Sequence, residues 1–197
     1  MSFRKEYKYK LTTSDKILAK KRLDMLGMKV LFPSRLINSC YFDNQTMSLF
    51  KDSEDGVLPR KKVRFRWYGN ETKYSKEEKI SSVEGRFKTT REFAEISSIE
   101  QLYNLSFLDK AYGLLKPVIH VLYSRDYYVL NSTRITFDTA IKYVSLKYKS
   151  PIIKIDTDCV MEIKTAASCS DDYIQKIFPF STARFSKYSR GMLLFEK

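Results

Sequence analysis

Residues 60–67 read RKKVRFRW, and the alternation in this segment constrains the fold more than any other feature of the sequence. In a β-strand, successive side chains point to opposite faces. One face then carries Arg60, Lys62, Arg64 and Arg66, and the other carries Lys61, Val63, Phe65 and Trp67. Like charges that share a face repel each other. The segment therefore predicts a strand whose cationic face is exposed to water or binds a strongly anionic ligand.

The same spacing recurs along the chain. Each pair in EYK, EEK and EIK shares a strand face: Glu6 with Lys8, Glu77 with Lys79, and Glu162 with Lys164. In RITFD, the shared face carries Arg134, Thr136 and Asp138. The apolar residues between them must be buried, and we expect helices to cover them. The charged faces then point to water if the sheet is open, and into a lumen if it closes into a barrel.

The sequence predicts a single domain, residues 1–197, of the α+β class and mainly β. Alternation with aromatic and β-branched residues predicts strands over 3–11, 36–43, 60–69, 73–80, 117–130, 133–144 and 154–166. Helices are predicted over 12–27, 97–108, 170–178 and 183–195. Residues 51–59 are predicted to form a turn, and the segment after residue 80 to be irregular. Because a barrel has no exposed edges, we expect the sheet to close.

Composition restricts the partners and the chemistry. Lysine and arginine number 36 against 23 acidic residues, and the net charge of +13 favours an anionic partner. The three cysteines are widely spaced, and no apolar run suits a signal peptide or a membrane span. We therefore expect a cytoplasmic protein without a membrane segment. The one histidine, His120, lies in an apolar stretch, so we expect it to be packed rather than catalytic.

Seven short motifs occur in a specific order: EYKY, CYFDN, KVRFRWYG, EEK, RITFD, VMEIK and RFSKYSRGM. In this order they resemble the VTC polyphosphate polymerase domain of the triphosphate tunnel metalloenzymes, over nearly the whole chain. The resemblance implies a closed eight-stranded antiparallel tunnel barrel with flanking helices. It also implies that the basic lumen binds a triphosphate or polyphosphate, and that Mn²⁺ or Mg²⁺ binds on an acidic side.

The resemblance also assigns roles to individual residues. The implied phosphate ligands are Lys8, Arg64, Arg66, Lys79, Arg134, Ser186 and Lys187. Lys51 stands where the family has an arginine and is a further candidate, and the period-two pattern adds Lys62 and Lys164. Among these residues, Arg64, Arg66, Arg134 and Lys187 are predicted to be catalytic. Glu162 is the predicted metal ligand, and Glu6, Glu77 and Asp138 are further metal candidates.

The predicted reaction is phosphoryl transfer from a nucleoside triphosphate such as ATP to a growing polyphosphate chain. The terminal phosphate of that chain is already ionised, so alignment and charge stabilisation suffice without a strong base. One alternative is a hydrolase of tripolyphosphate or a nucleoside triphosphate, with Glu6, Glu77 or Asp138 as the base. The other is a non-enzymatic binder of polyphosphate or RNA. Cations inside a narrow lumen cannot reach a duplex, which argues against nucleic acid.

One departure from the superfamily bears on this choice. Hydrolase and cyclase members tend to begin with ExExK, whereas the frame here is Arg4-x-Glu6-x-Lys8. A cation in place of the first glutamate weakens a hydrolytic two-metal site and favours the polymerase. The phosphate-sensing and membrane segments that surround this domain in fungal proteins do not occur in the sequence, so we expect a standalone, prokaryote-type domain.

Overall fold

The structure of the protein is a computed structural model that describes residues 4–148 and 150–196. The strands are β1 Arg4–Leu11, β2 Lys29–Asp43, β3 Arg60–Tyr68, β4 Ser75–Ser82, β5 Gly85–Glu92, β6 Phe107–Asp109, β7 Gly113–Leu130, β8 Thr133–Ser145, β9 Ile152–Ile155 and β10 Cys159–Ala166. The helices are α1 Thr13–Met25, α2 Ser48–Asp55, α3 Ile99–Asn104, α4 Asp171–Ile177 and α5 Lys187–Phe195. This confirms a mainly β chain of the α+β class.

The strands form one sheet in the order β1-β10-β8-β7-β2-β3-β4-β5, with β6 on β7 and β9 on β8. The pairings of β1 with β10, β10 with β8, β2 with β3, β3 with β4 and β4 with β5 are antiparallel. In these registers, residues of the predicted charged faces stand opposite each other. Glu6 is opposite Lys164, Lys8 is opposite Glu162, and Arg64 is opposite Glu77.

The chain divides into two compact units, each with its own core. The first comprises Met1–Leu36, Tyr123–Ile141 and Ile155–Phe185. Its core contains the apolar face of β1, β8 and β10, including Tyr9, Phe137 and Ile163. Ala19 and Leu23 of α1 and Ile174 of α4 pack into this core. Helices therefore cover the apolar sheet face of the first unit, as the alternation predicts.

The second unit comprises Ile37–Leu122, Lys142–Lys154 and Ser186–Lys197. Its core contains Val63, Phe65 and Trp67, the residues that alternate with the cations of β3. Leu49 of α2 and Leu102 of α3 belong to the same core. The burial of β3 therefore alternates as predicted: the apolar side chains are buried, and the cations lie on the opposite face.

Several elements differ from the sequence predictions. The helix predicted over 97–108 ends at Asn104 and is followed by β6, and β2 begins at Lys29 rather than at residue 36. Residues 51–55, predicted to be a turn, are the end of α2. The side chain of Asp43 accepts hydrogen bonds from the backbone amides of Leu49 and Phe50, at 3.0 and 2.9 Å. The carboxylate that caps α2 thus belongs to the end of β2, several residues before the helix begins. Sequence signals for a cap, which are sought next to the first helical residue, therefore do not reveal this helix. Residues 85–92, predicted to be irregular, form β5, whose side chains are almost all exposed.

The prediction of a closed eight-stranded barrel is wrong. The sheet has ten strands, and β1 and β5 are the ends of its strand order. Among the described residues, no pairing joins β5 to β1. The exposed β5 carries Arg86, Lys88, Arg91 and Glu92. Charged side chains are a common means by which an edge strand avoids further pairing, which explains why the sheet ends at β5.

Helices in the described part of the chain are too short and too polar to cross a membrane. The longest, α1, has 13 residues, whereas a spanning helix needs about 20. This agrees with the expectation that the sequence contains no membrane-spanning segment.

Gly191 provides a test of how α5 packs on the sheet. A Cβ atom at this position would lie 2.5 Å from Cδ1 of Ile119 and 2.6 Å from Cδ1 of Tyr143. Alanine favours a helix more than glycine does, but this steric overlap outweighs the gain. We expect Gly191→Ala to lower the free energy of unfolding by about 1–3 kcal/mol in urea titrations. Leu193→Ala, at a side chain that is 42% exposed on the same helix, is the control and should change stability little. Equal stability of Gly191→Ala and the wild type would contradict the packing.

Candidate functional site

The polar face of the second unit is rich in cations and is called the β3 face here; it consists of Ser39, Tyr41, Lys62, Arg64, Arg66, Ser75, Glu77, Lys79 and Lys88. The strand registers align these residues across β2, β3, β4 and β5. Lys62 is opposite Lys79, and Lys79 is opposite Lys88, so three ammonium groups occupy one row. Such a row of like charges is unfavourable unless an anion lies close to it.

Glu77 supplies one such anion, and it lies among the cations of the β3 face. Its Oε2 atom accepts from Nε of Arg64 at 2.7 Å and is 2.5 Å from Nη2 of the same guanidinium. Its Oε1 atom accepts from Nζ of Lys88 at 2.8 Å and lies 3.8 Å from Nη1 of Arg66. Burial would raise the pKa of this carboxyl group, but Arg64 and Arg66 outweigh that effect and hold the pKa at about 2. Glu77 is therefore a permanent anion that orders the cations around it.

This environment bears on the roles predicted for Glu77. A carboxylate with a pKa of about 2 is a weak base, and two cations already occupy its oxygen atoms. In this arrangement Glu77 orders the cations of the β3 face.

Tyr41 belongs to the β3 face, although the sequence analysis does not assign it a role. Its hydroxyl accepts from Nη1 of Arg64 at 3.0 Å, and its ring stacks on Tyr188 with centroids 5.0 Å apart. Burial would raise the pKa of Tyr41, but Arg64, Arg66 and Lys187 outweigh burial and lower it. The alternation of side chains in SCYF could have indicated this position. Ser39 and Tyr41 point to one face of the strand, and the apolar Cys40 and Phe42 point to the other.

Two predicted phosphate ligands reach the β3 face from α5. Ser186 caps this helix, and its Oγ atom accepts from Nζ of Lys62 at 2.8 Å. Lys187 is the first residue of α5 and acts electrostatically on Tyr41. The hydroxyl of Tyr188 donates to the buried carboxylate of Asp43, the residue that caps α2. Through this hydrogen bond the N-terminus of α5 is held against the sheet.

Lys51 is the predicted phosphate ligand that the structure places on neither polar face. It lies on α2, and its side chain is exposed. Its position therefore gives no support to the role that the family pattern implies.

The polar face of the first unit alternates acids and bases; it consists of Glu6, Lys8, Arg134, Thr136, Asp138, Glu162 and Lys164. The ammonium group of Lys164 lies 2.8 Å from Oε1 of Glu162 and 3.7 Å from Oε2 of Glu6. Nζ of Lys8 is 3.2 Å from Oε1 of Glu6 and donates to the carbonyl oxygen of Phe185 at 3.1 Å. The structure therefore brings together two predicted phosphate ligands and two candidate metal ligands.

Glu162 is held in its ionised form. Burial would raise its pKa, but Lys164, Arg125 and Lys8 lower it to about 2. Thr136 stands opposite Glu162 in the register of β8 and β10 and is buried. Its Oγ1 atom has no hydrogen-bond partner among the described residues. A buried hydroxyl is normally satisfied, so this atom marks a place where a bound group would find a partner.

Arg125 is a functional candidate that the sequence analysis missed. Its guanidinium donates to both carboxylate oxygens of the fully buried Asp138, from Nε at 2.5 Å and Nη2 at 2.7 Å. It also lies 5.4 Å from the centre of the Tyr123 ring. The period-two spacing of Tyr123 and Arg125 in the segment YSRDYY was the available signal. Because Arg125 binds both oxygens of Asp138, a metal ion would have to displace this guanidinium to reach the carboxylate.

The donor set around Glu162 is suited to a hard divalent cation that is also bound by phosphate. Glu6 and Glu162 approach the same ammonium group, so a metal ion could take their oxygens in its place. No group of three or more His, Cys, Asp or Glu residues that could hold a metal ion occurs in the described part of the chain. Mg²⁺ commonly binds through one or two carboxylates, with water and substrate phosphates as its other ligands. Two carboxylates therefore fit this kind of site.

His120 is packed, as predicted. Its ring stacks on Trp67, its Nδ1 atom accepts from the hydroxyl of Tyr103 at 2.8 Å, and its Nε2 atom donates to Asn38 at 3.1 Å. Burial lowers its pKa to about 4. His120 is therefore a neutral residue of the second unit's interior.

Several solved structures share the fold. A candidate adenylate cyclase from Vibrio parahaemolyticus has a TM-score of 0.57 at 11% identity, and the match covers 98% of each chain. A candidate adenylyl cyclase from Hippeastrum with a dominant triphosphatase activity has a TM-score of 0.57 at 14% identity, covering 97% of this chain and 96% of that chain. A conserved hypothetical protein from Pyrococcus furiosus has a TM-score of 0.57 at 14% identity, covering 94% of this chain and 99% of that chain.

These similarities show that the chain shares its fold with the two candidate cyclases and with the Pyrococcus furiosus protein. The model of the VTC domain matches residues 3–196, and the chain belongs to this family. The family resemblance expected from the sequence motifs is thereby confirmed. No curated protein matches the chain.

The ionisation of Glu77 can be tested through acid unfolding. Because its pKa in the folded state lies near 2, below the usual 4.5, the ionised group stabilises the fold above pH 4.5. This contribution is lost as the pH falls from 4.5 towards 2. We expect Glu77→Gln to be less stable at pH 7 and to lose less stability than the wild type between pH 5 and 3. Urea unfolding at each pH measures both effects. Glu84→Gln, at an exposed turn, is the control, and identical pH profiles of Glu77→Gln and the wild type would refute the ion cluster.

Proposed function

We propose that the protein catalyses metal-dependent phosphoryl transfer from a nucleoside triphosphate such as ATP to polyphosphate. The observation that carries this proposal is the β3 face, where Arg64 and Arg66 contact one carboxylate, Ser186 accepts from Lys62, and Lys187 acts electrostatically on Tyr41. Guanidinium groups donate two parallel hydrogen bonds to phosphate oxygens, and ammonium groups add charge. Membership in the VTC domain family supports this use of the cations.

The β3 face is organised before any phosphate binds. Glu77 and Tyr41 hold the guanidinium of Arg64 from two directions, and Lys62 binds the cap of α5. Ser39 lies opposite Arg66 on this face, and its buried hydroxyl has no partner among the residues that the structure describes. Positioning donors in advance lowers the barrier because little reorganisation remains when charge develops in the transition state. We propose Arg64, Arg66 and Lys187 as the residues that stabilise the transferring phosphoryl group.

The polar face of the first unit carries the other predicted ligands. Lys8, Arg134 and Lys164 are proposed to bind phosphate oxygens, as the motif positions imply. Glu162, with Glu6, would hold Mn²⁺ or Mg²⁺. When bound, such a cation supplies positive charge that stabilises the leaving diphosphate. Release of Lys164 from the two carboxylates would leave its ammonium group available for phosphate.

The available titratable groups suit transfer to a phosphate nucleophile. His120 is buried and hydrogen-bonded, Glu77 has a pKa of about 2, and Asp138 is bound by Arg125. None of these three groups is placed to deprotonate water. The terminal phosphate of polyphosphate is already an anion, so transfer to it needs no such base.

Hydrolysis of a triphosphate is the second candidate function. The specific observation in its favour is the Hippeastrum protein, which has this fold and a dominant triphosphatase activity. Hydrolysis would need a water molecule placed in line with the leaving group. Glu6 and Glu162 are the carboxylates of the first unit that could orient such a water molecule, although both contact Lys164.

Incubation with ATP and Mn²⁺ followed by gel sizing of the products separates these functions. We expect long phosphate chains from the wild type. Glu162→Gln should lose most of this activity, because one carboxylate oxygen of the metal site is replaced by an amide. It should still bind tripolyphosphate, since the cations of the β3 face are intact. Orthophosphate as the only product would establish the hydrolase instead, and full activity of Glu162→Gln would refute the metal assignment.

Phosphate binding by the β3 face can be measured without turnover. We expect Arg64→Ala to weaken binding of tripolyphosphate at least tenfold in calorimetric titrations. A charge-assisted hydrogen bond contributes roughly 1.5–3 kcal/mol, and about 1.4 kcal/mol corresponds to a factor of ten. Lys110→Ala removes one exposed cation outside the face and is the matched control. Comparable losses in the two variants would mean that net charge, rather than the β3 face, binds the ligand.

A further inference from the structure

The turn between α1 and β2 presents apolar side chains to water. Met25 is 80% exposed and Val30 is 70% exposed, and Leu26 between them is exposed as well. Val30 follows Met25 by five residues, so their Cα atoms are at most about 18 Å apart. Leu18 is also exposed and lies two turns before Met25 on the same side of α1. This set is called the α1–β2 tip here; it consists of Leu18, Met25, Leu26 and Val30.

The backbone at the end of α1 fixes the position of the tip. The amide of Met28 donates to the carbonyl oxygen of Leu23, and the amide of Gly27 donates to the carbonyl oxygen of Asp24, both at 3.0 Å. Gly27 has a φ of 88°, in the left-handed region that this type of helix ending requires. Leu23 and Met28 both pack in the core of the first unit. Two core residues therefore anchor the turn, while the side chains of the tip remain in water.

Positive charge surrounds the tip. Residues 16–30 contain five lysines and arginines and one acid, Asp24. The exposed cations of this segment are Lys21, Arg22 and Lys29. The guanidinium of Arg22 donates to the carbonyl oxygen of Lys176 at 2.7 Å, so α4 adds a further exposed lysine beside the turn. The apolar tip is thus bordered almost entirely by cations.

This combination matches the surface of a bilayer that contains anionic lipids. Neighbouring exposed apolar side chains with a polar border are typical of interaction surfaces. At a membrane, apolar side chains enter the boundary between headgroups and acyl chains, and lysine and arginine attract the anionic headgroups. A second copy that docked through the same tip would bring like charges together, and their repulsion disfavours such a dimer. Charge complementarity therefore favours an anionic membrane surface over a second copy of the chain.

We propose that the α1–β2 tip docks the protein on the surface of a membrane that contains anionic lipids. Met25, Leu26 and Val30 enter the boundary of the acyl chains, and Lys21 and Lys29 contact the headgroups. Binding of this kind is peripheral and requires no helix that crosses the bilayer. No residue of the tip belongs to either polar face, so this inference does not depend on the proposed reaction.

Co-sedimentation with lipid vesicles tests the docking. We expect the wild type to bind vesicles of equimolar phosphatidylcholine and phosphatidylglycerol, and to bind pure phosphatidylcholine vesicles far more weakly. The double variant Met25→Ser with Val30→Ser should bind the mixed vesicles about tenfold more weakly, because two apolar side chains no longer leave water. Val83→Ser is the matched control, since Val83 is 88% exposed in the turn between β4 and β5. It should bind as the wild type does.

The serine variants separate insertion from charge, because they leave the net charge of +13 unchanged. Equal binding of the double variant and the wild type to the mixed vesicles would overturn the proposal, as would failure of the wild type to bind them. Binding to polyglutamate that depends on Met25 and Val30, without binding to vesicles, would assign the tip to an acidic protein instead and overturn the membrane assignment.

Tryptophan emission provides a second measurement that does not depend on the serine variants. The one natural tryptophan, Trp67, is buried, so a tryptophan in place of Val30 reports on the tip. We expect the emission of Val30→Trp to shift to the blue when the mixed vesicles are added, and that of Val83→Trp to stay unchanged. If the double serine variant does not fold, as judged by circular dichroism, this emission decides. An unshifted Val30→Trp spectrum would then overturn the proposal.

Discussion

The structure depends on how the repulsion among the cations of β3 is offset. Four cationic side chains occupy alternate positions of one strand face, and two further lysines stand beside them on β4 and β5. The apolar residues between them are committed to the core, so the cations cannot turn away without exposing Val63, Phe65 and Trp67. A single carboxylate, Glu77, is placed where it contacts both Arg64 and Lys88. One anion among so many cations leaves the face with a large excess of positive charge, which is the property that a phosphate ligand requires.

The two polar faces differ in how the repulsion among their cations is offset. In the second unit most of the charges have the same sign. In the first unit acids and bases alternate across the strands, so Glu6 is opposite Lys164 and Lys8 is opposite Glu162. The balanced arrangement suits a site that exchanges one cation for another, because a metal ion can take the place of an ammonium group. We therefore propose phosphate binding for the cation-rich face of the second unit, and metal binding for the charge-balanced face of the first unit.

Helices complete the β3 face in the second unit through one buried carboxylate. Asp43 accepts from the first amides of α2 and from the hydroxyl of Tyr188 on α5. Tyr188 in turn stacks on Tyr41, whose hydroxyl accepts from Arg64. This series of contacts connects the ends of two helices to a guanidinium of the β3 face. It explains how Ser186 and Lys187, more than a hundred residues away along the chain, come to lie near β3.

The residue pattern within single segments was enough to predict strand faces, a helix start and the family. The alternation in RKKVRFRW correctly divided β3 into a buried and a charged face, because the side-chain period of a strand is a property of each strand alone. The start of α1 was readable from Thr12 and Asp15, which form a capping box within four residues. The ordered motifs led to the family, which the match over residues 3–196 confirms.

Interactions between distant segments had to come from the tertiary structure. The partners of Glu77, the pairing of Arg125 with Asp138 and the cap that Asp43 provides for α2 all depend on strand register or on contacts between separate elements. Register is set by the simultaneous packing of many strands, and no single segment contains that information. For the same reason the sequence predicted closure of the sheet, whereas the strand order ends at a charged, exposed β5. Periodicity is encoded within each strand; which charges meet is decided only when the strands pair.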